Sequence, residues 1–177
     1  MFSGYLASTY LRVAPGLPSM QLTDHTDIGL RVLILLAAVA PERMSSVELA
    51  RRYRVSHSHV QKVVQGLQSA GFVETFRGRG GGVQLARVPC DIRVGEVVRA
   101  MEPSFDLVEC FRVGRSQCRL DGGCALTGTL ARAKSAMLAE LDKTTIADVV
   151  AASPAIERLV APPPPEDDDG GTVETGR

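Results

Sequence analysis

The amino-acid sequence predicts a mostly α-helical fold with one small β-hairpin, and three observations support this prediction. Two short helical patterns follow one another between residues 45 and 70, each introduced by a serine that can cap a helix. Two short alternating segments then flank a glycine-rich stretch at residues 77–82, a pattern typical of a hairpin. Beyond residue 125, apolar residues recur at steps of three and four over about four turns, which indicates a long amphipathic helix.

The composition limits the class of protein. A chain of 177 residues can form one core with a small appendage. No apolar run approaches the roughly 18 to 20 residues of a membrane span, and the N-terminus lacks the basic and hydrophobic regions of a signal peptide. We therefore expect a cytoplasmic protein with no membrane partner. In that compartment cysteines bind metal or sense redox state more often than they form structural disulfides.

The balanced net charge hides a local asymmetry. Residues 51–80 contain six basic side chains against the single acid Glu74, which gives a net charge of +5. The residues after Val160 contain five acids against Arg177, which gives a net charge of −4. A basic middle segment followed by an acidic end predicts a module that binds a polyanion and a solvated tail.

The N-terminal part divides into an arm and a first helix. We expect residues 1–19 to be a flexible arm or a mis-assigned start, because Met20 opens the first periodic pattern. A helix is predicted over residues 22–40 from its apolar spacing. Asp27 and Arg31 lie four residues apart in this helix, so they can form an ion pair on one face.

Residues 45–70 predict two short helices joined by a tight turn. Ser45 and Glu48 form a capping-box pattern for the first helix, and Ser56 caps the second. The second helix has an apolar stripe on one side and, on the other, polar groups that can bond base edges or phosphates. This pattern indicates a helix-turn-helix, although a small helical bundle would show it too. The candidate DNA-contacting residues of this helix are Ser56, Ser58, His59, Gln61 and Lys62.

A wing is predicted directly after the helix-turn-helix. Residues 72–76 alternate like a strand, residues 83–85 can pair with them, and the segment RGRGGG lies between the two. Arg77 and Arg79 can reach phosphates or the minor groove, and the glycines allow close approach of the backbone. A nucleotide-binding loop is disfavoured, since it would precede a helix and carry a Lys-Ser/Thr pair. We predict a winged helix-turn-helix domain over residues 20–104, with double-stranded DNA as its partner.

Three of the four cysteines lie in a polar stretch at residues 105–125. Cys110, Cys118 and Cys124 have seven and then five residues between neighbours. Thiols on an irregular loop suggest metal ligands, whereas three unrelated core cysteines would avoid so polar a setting. Zinc sites usually space their paired cysteines about two to four residues apart, so the wider gaps favour an iron–sulfur cluster over zinc. The loop itself supplies no fourth ligand, and Cys90 is expected to be a buried small residue.

The remainder of the chain predicts a dimerisation element and a tail. Residues 126–160 should hold a long dimerisation helix and a short C-terminal helix capped by Thr145 and Asp148. A homodimer suits a palindromic operator, because both have two-fold symmetry. The composition of residues 161–177 predicts a disordered acidic tail.

Four segments, followed by the three-cysteine loop, resemble the NsrR group of nitric-oxide-sensing repressors. This group belongs to the winged-helix family that includes the iron–sulfur cluster regulator IscR, and the resemblance covers about residues 20–152. The segments are, in order, MQLTDHTDIGLRVLILLA, SHSHVQKVVQGL, RGRGGGVQL and IRVGEVVRAMEP.

The resemblance implies a homodimeric repressor of nitrosative-stress genes that carries a [4Fe-4S] cluster and responds to nitric oxide. The implied ligands are Cys110, Cys118 and Cys124 of one subunit and Asp27 of the partner subunit. Arg31 would orient that carboxylate, and Glu102 would join the same network. The chain would not be an enzyme, and its sequence shows no catalytic acid–base pair.

An iron- or redox-responsive regulator of the RirA or IscR type remains an alternative, with a [2Fe-2S] cluster as the alternative cofactor. IscR-type regulators carry a histidine three residues after the last cysteine. Thr127 occupies that position here, which favours the NsrR group.

Overall fold

The fold is mostly helical with a single two-stranded hairpin, as predicted. The computed structural model describes residues 21–112, 117–120 and 123–161, so the predicted arm and almost all of the predicted tail lie outside the described residues. The α-helices are α1 (Asp24–Val39), α2 (Ser46–Tyr53), α3 (His57–Ser69), α4 (Val94–Met101), α5 (Ala125–Leu141), α6 (Ile146–Ala151) and α7 (Ala155–Val160). The strands are β1 (Val73–Phe76) and β2 (Gly82–Leu85), and two 3-10 turns cover Pro89–Asp91 and Glu109–Phe111.

Helix α1 lies at the centre of the domain. It packs against α3, α4, α6 and α7 and also contacts β2. Val32, Leu33 and Leu35 on its inner face are completely buried. Full burial of such a side chain stabilises a fold by about 1.5–3 kcal/mol, so this face is a main source of stability. The facing helices add the fully buried residues Val60, Val63, Leu67, Val97, Val98 and Ile146.

Local hydrogen bonds set the geometry of the helix-turn-helix. Ser45 Oγ accepts from the Glu48 backbone N–H at 3.1 Å, and Ser56 Oγ caps α3 in the same way at 3.3 Å. The Glu48 carboxylate binds Arg51 and Arg52 instead of closing the predicted capping box. Arg54 follows α2 with a φ of 53°, and this left-handed residue makes the tight turn into α3.

The wing is attached to the segment that precedes α2. Strands β1 and β2 pair antiparallel, with Phe76 opposite Gly82. Met44 forms a bridge to Val83 through two backbone hydrogen bonds of 2.9 and 3.0 Å, which the sequence did not predict. A Cβ atom at Gly81 would lie 2.4 Å from the Phe76 carbonyl oxygen, so the tip of the wing requires glycine there.

The C-terminal end of α5 is joined to the start of α4. The Ile146 N–H donates to the Ile92 carbonyl at 2.9 Å, and Arg99 forms an ion pair with Asp142 just after α5. A Cβ atom at Gly95 would collide with the Asp142 carboxylate. The segment after α5 therefore approaches α4 closely at Gly95, and a larger residue there would displace the Asp142 side chain.

Helix α5 leaves its apolar stripe only partly covered by its own chain. Within the described part of the chain none of its residues is buried, and Leu126 is 59% exposed. A long helix that covered the core of its own domain would bury that stripe. The partly exposed stripe therefore leaves a surface for a second molecule.

Helix α7 was not predicted. It is six residues long, too short to give a clear periodic signal. Arg52 of α2 donates to the carbonyl oxygens of Leu159 and Ala161, the latter at 3.2 Å, and so holds its C-terminal end. Among the described helices, none combines the length and hydrophobicity that a bilayer crossing requires.

Leu67→Ala should lower the free energy of unfolding by about 2–5 kcal/mol, because it leaves a cavity between α3 and α1. Leu67 is completely buried. Val47→Ala on α2 is the control, since Val47 is 61% exposed and should change stability by no more than about 0.5 kcal/mol. Urea denaturation followed by circular dichroism measures both, and equal effects of the two changes would contradict this description of the core.

Candidate functional site

The predicted DNA-contacting residues of α3 lie on its outer face. Ser56, Ser58, Gln61 and Lys62 are exposed, and His59 is partly exposed. The apolar stripe of the same helix is buried, so the polar side can approach DNA without unfolding the domain. His57 opens the helix, and its Nε2 lies 2.8 Å from Ser46 Oγ of α2. This contact fixes the start of α3 against α2.

An open cleft of about 600 Å³ lies between α3 and the wing. Gln61 lines the cleft from α3, and Arg77 lines it from the wing. Lys62 and Arg79 are exposed but are not among its lining residues. The cleft is also lined by Gln65, which belongs to the predicted polar side of α3, and by Ser45, Ser46, Gln68 and Thr75, which were not predicted to contact DNA.

The wing is positioned against α3 by side-chain contacts. Thr75 Oγ1 donates to Gln68 Oε1 at 3.1 Å, which joins β1 to α3. On the outer side the Arg43 guanidinium lies 3.5 Å from the centre of the Phe76 ring, a favourable cation–π contact. The cleft therefore has two walls of fixed separation, one helical and one formed by the wing.

The three predicted thiols line a single pocket. Cys110, Cys118 and Cys124 surround a space of about 250 Å³. Cys110 belongs to the 3-10 turn Glu109–Phe111, and Cys124 is the residue before α5. Most of the other lining residues are apolar: Val108, Leu120, Leu126 and Leu130.

The donor set of the pocket suits an iron–sulfur cluster. Three thiols line one pocket, and thiolates are the usual ligands of such clusters. The apolar wall would also limit access of water to the cluster.

The first turn of α5 acts on two of these thiols. Cys110 Sγ lies 3.3 Å from Thr127 Oγ1. The pKa of the Cys124 thiol is lowered, first by the backbone N–H of Thr127, then by that of Leu126, and to a smaller extent by the Thr127 side chain. The Thr127 N–H also donates to the Cys124 carbonyl at 3.2 Å. A thiol at a helix N-terminus is more readily a thiolate, the form that binds metals.

Asp27 and Arg31 form a two-pronged ion pair on α1. Arg31 Nη2 lies 2.7 Å from Asp27 Oδ2, and Nε donates to Oδ1 at 3.1 Å. Both side chains are about half exposed, so the pair adds little stability. It does hold the Asp27 carboxylate in one orientation. Asp27 is not among the described residues that line the cysteine pocket of its own chain.

Glu102 holds the first turn of α1. Its carboxylate accepts hydrogen bonds from the Thr23 N–H and Thr23 Oγ1, both at 3.1 Å, and from Thr26 Oγ1 at 2.6 Å. These hydrogen bonds go to Thr23 and Thr26, which are neighbours of Asp27 in the sequence. Glu102 therefore positions the turn that carries Asp27. Thr23 and Thr26 make this contact, and the apolar periodicity of the sequence did not indicate it.

Cys90 does not match its prediction. It was expected to be buried, but it is exposed in the 3-10 turn Pro89–Asp91. Its Sγ lies 3.9 Å from Asp91 Oδ1, and it is not among the lining residues of the cysteine pocket. The turn directs the side chain to solvent, because the core contact of this segment is made by Ile92, which is completely buried.

Comparison with known proteins identifies similar transcriptional regulators. Residues 22–152 match the Rrf2 family, described as "Iron-dependent Transcriptional regulator". The chain is 46% identical over 132 residues to the HTH-type transcriptional regulator NsrR of Bacillus subtilis, which covers 74% of this chain and 90% of that protein. It is 40% identical over 143 residues to the NsrR of Bacillus licheniformis, and this alignment covers 80% of this chain and 100% of that protein.

Two solved structures have a similar fold. CymR, the global cysteine regulator of B. subtilis, has a TM-score of 0.63 and 24% identity, and covers 76% of this chain and 99% of its own. The T. potens IscR has a TM-score of 0.61 and 24% identity, and the match covers 75% of this chain and 88% of the IscR chain. The predicted winged-helix fold and the resemblance to the NsrR group are confirmed. The family consists of transcriptional regulators, so the prediction that the chain is not an enzyme is confirmed as well.

Arg77→Ala should weaken DNA binding and reduce the dependence of log K on log salt by about one unit, because one phosphate contact is lost. Lys143→Ala removes the same charge from an exposed site at the end of α5, away from the residues that line the cleft, and is the control. Fluorescence anisotropy of a labelled duplex over a salt series measures both slopes. An unchanged slope for Arg77→Ala would remove the wing from the interface.

Proposed function

The chain belongs to the Rrf2 family of transcriptional regulators, and we propose that it is a homodimeric repressor whose operator affinity is gated by an iron–sulfur cluster. One observation carries the proposal: Cys110, Cys118 and Cys124 come from separate parts of an irregular loop and line one largely apolar pocket. Thiolates in such a pocket are the usual ligands of these clusters. The resemblance to the NsrR group supports a [4Fe-4S] cluster, nitric oxide as the signal and nitrosative-stress genes as targets.

The fourth ligand in this proposal is Asp27 of the partner subunit. Three thiols leave one position of a cubane cluster without a cysteine. Within one chain Asp27 does not line the pocket, yet its carboxylate is half exposed and oriented by Arg31. A carboxylate presented in this way can serve a site on a second molecule. When bound, the cluster would supply an iron atom with one weakly held oxygen ligand, which nitric oxide can attack.

Dimerisation is supported by the surface of α5. Its stripe of Leu126, Leu130, Ala133, Met137 and Leu141 contains no buried residue in the described chain. A symmetric contact between two such stripes would cover apolar surface. It would also set the separation of the two α3 helices, which must match operator half-sites about 34–36 Å apart or a multiple of that distance.

In the proposed complex, α3 enters the major groove and the wing lies over the adjacent backbone. The proposed contacts are Ser56, Ser58, His59, Gln61 and Lys62 from α3, and Arg77 and Arg79 from the wing. Gln61 and Arg77 line the same cleft. In this arrangement Gln61 would contact the edge of a base, and Arg77 would contact a backbone phosphate.

A second candidate function is regulation by iron supply or redox state through the same cysteines, with a [2Fe-2S] cluster as the alternative cofactor. The description of the Rrf2 family as iron-dependent favours it. The two candidates differ in their signal, so exposing samples of equal initial cluster content to nitric oxide or to an iron chelator separates them.

Cys118→Ala should abolish the visible absorption of anaerobically purified protein and lower its affinity for an operator selected from random duplexes. One of three thiolate ligands is lost in this variant. Cys90→Ala is the matched control, because Cys90 is exposed outside the pocket, and it should retain both properties. Absorption, iron and sulfide content, and anisotropy measure the outcome. A Cys90→Ala protein without cluster, or a Cys118→Ala protein with a full one, would disprove the ligand assignment.

Asp27→Ala should behave differently from the cysteine variants. Water or a buffer thiol can replace a hard carboxylate on iron, so we expect part of the cluster to remain while its coupling to operator affinity is lost. Nitric oxide should bleach wild-type protein and release it from DNA together. The variant should bleach with a smaller change in affinity, and Asp24→Ala, an exposed acid in the same turn, should resemble wild type. Wild-type protein that keeps its operator after bleaching would refute the proposed gating.

A further inference from the structure

Thr127 lies next to one of the three proposed thiolate ligands. Its Oγ1 is 3.3 Å from Cys110 Sγ. It is one of the residues that line the cysteine pocket.

The hydroxyl of Thr127 is directed to sulfur instead of to the helix backbone. A threonine in a helix commonly donates to the carbonyl four residues earlier. Thr129, two residues further along α5, does so, with its Oγ1 donating to the Ala125 carbonyl at 3.2 Å. The same residue type in the same helix therefore has two different partners. Only Thr127 of the two lines the pocket.

We propose that Thr127 is a positioning residue whose hydroxyl donates a hydrogen bond to the thiolate of Cys110 and thereby stabilises the cluster and raises its reduction potential. This inference rests on the proposed cluster. A metal-bound thiolate carries no proton, so the hydroxyl must be the donor in the contact with Cys110. The contact also links the 3-10 turn that holds Cys110 to the first turn of α5, 17 residues away in sequence.

Two physical effects follow from this contact. A hydrogen bond to a ligating sulfur withdraws electron density and favours the reduced, more negative state of the cluster. Because the side chain of threonine is branched at Cβ and has few rotamers in a helix, the donor is held in place before the cluster binds. Groups that orient metal ligands in this way typically contribute about 10–100-fold to metal affinity.

The test compares anaerobically purified full-length Thr127→Val, which removes the hydroxyl with little change in shape, with Thr127→Ser, which keeps it. Thr129→Val is the matched control for loss of a threonine hydroxyl from α5. The measurements are the reduction potential by dye equilibration and the rate of bleaching by an iron chelator. We expect Thr127→Val to have a more negative potential and to bleach about 10-fold faster. Thr127→Ser and Thr129→Val should match wild type.

Each other outcome has a defined meaning. A Thr127→Val protein with the potential and bleaching rate of wild type, or a Thr129→Val protein that changes equally, would overturn the role of Thr127. If Thr127→Val retains the circular dichroism of the fold but cannot be loaded with iron and sulfide, the positioning role is supported. If it fails to fold, Thr127→Ala provides the same comparison. Wild-type protein without iron and sulfide would refute the proposed function itself, which distinguishes that failure from a failure of this inference.

Discussion

The burial of α1 is the constraint on which the rest of the structure depends. Its inner face packs against α3, α4, α6 and α7, so the position of the DNA-facing helix is set by the same residues that hold the C-terminal helices. Its outer face carries Asp27 and Arg31, which are half exposed. One helix therefore connects the orientation of α3 with the carboxylate that is proposed to serve the partner subunit. A shift of α1 would alter both.

The segments that flank the cysteine loop are attached to the domain at two places, one on α1 and one on α4. Glu102, at the end of α4, binds Thr23 and Thr26 at the start of α1, and the loop begins directly after it. At its other side the loop ends at Cys124, where α5 starts, and the far end of α5 is fixed to α4 by the close approach of Gly95 and Asp142. The loop that carries the cysteines is thus attached to the domain on both sides, so a change in its conformation would act on both attached segments. In the proposed mechanism this arrangement transmits the state of the loop to the DNA-binding face.

Local sequence signals predicted most of the fold and the thiols of the site. Serine caps, apolar spacing and glycines defined the helix-turn-helix and the wing, because each acts within a few residues. Contacts between distant residues were not predictable: the bridge of Met44 to Val83, the partners of Glu102, and the contact of Thr127 with Cys110. The burial of Cys90 was predicted wrongly. A 3-10 turn of three residues has no apolar periodicity that would show which side chains face the core. The proposed role of Asp27 came from the resemblance alone, because the proposed contact would lie between two chains.

The central claim is that cluster and operator binding occur in the same molecules. Native mass spectrometry of an anaerobic, partly cluster-loaded sample, mixed with a limiting amount of operator duplex, tests it most directly. The account predicts that dimers bound to the duplex carry a [4Fe-4S] cluster in both subunits, while the free dimers are depleted of it. Equal cluster content in bound and free protein, or binding of the duplex by monomers, would contradict it.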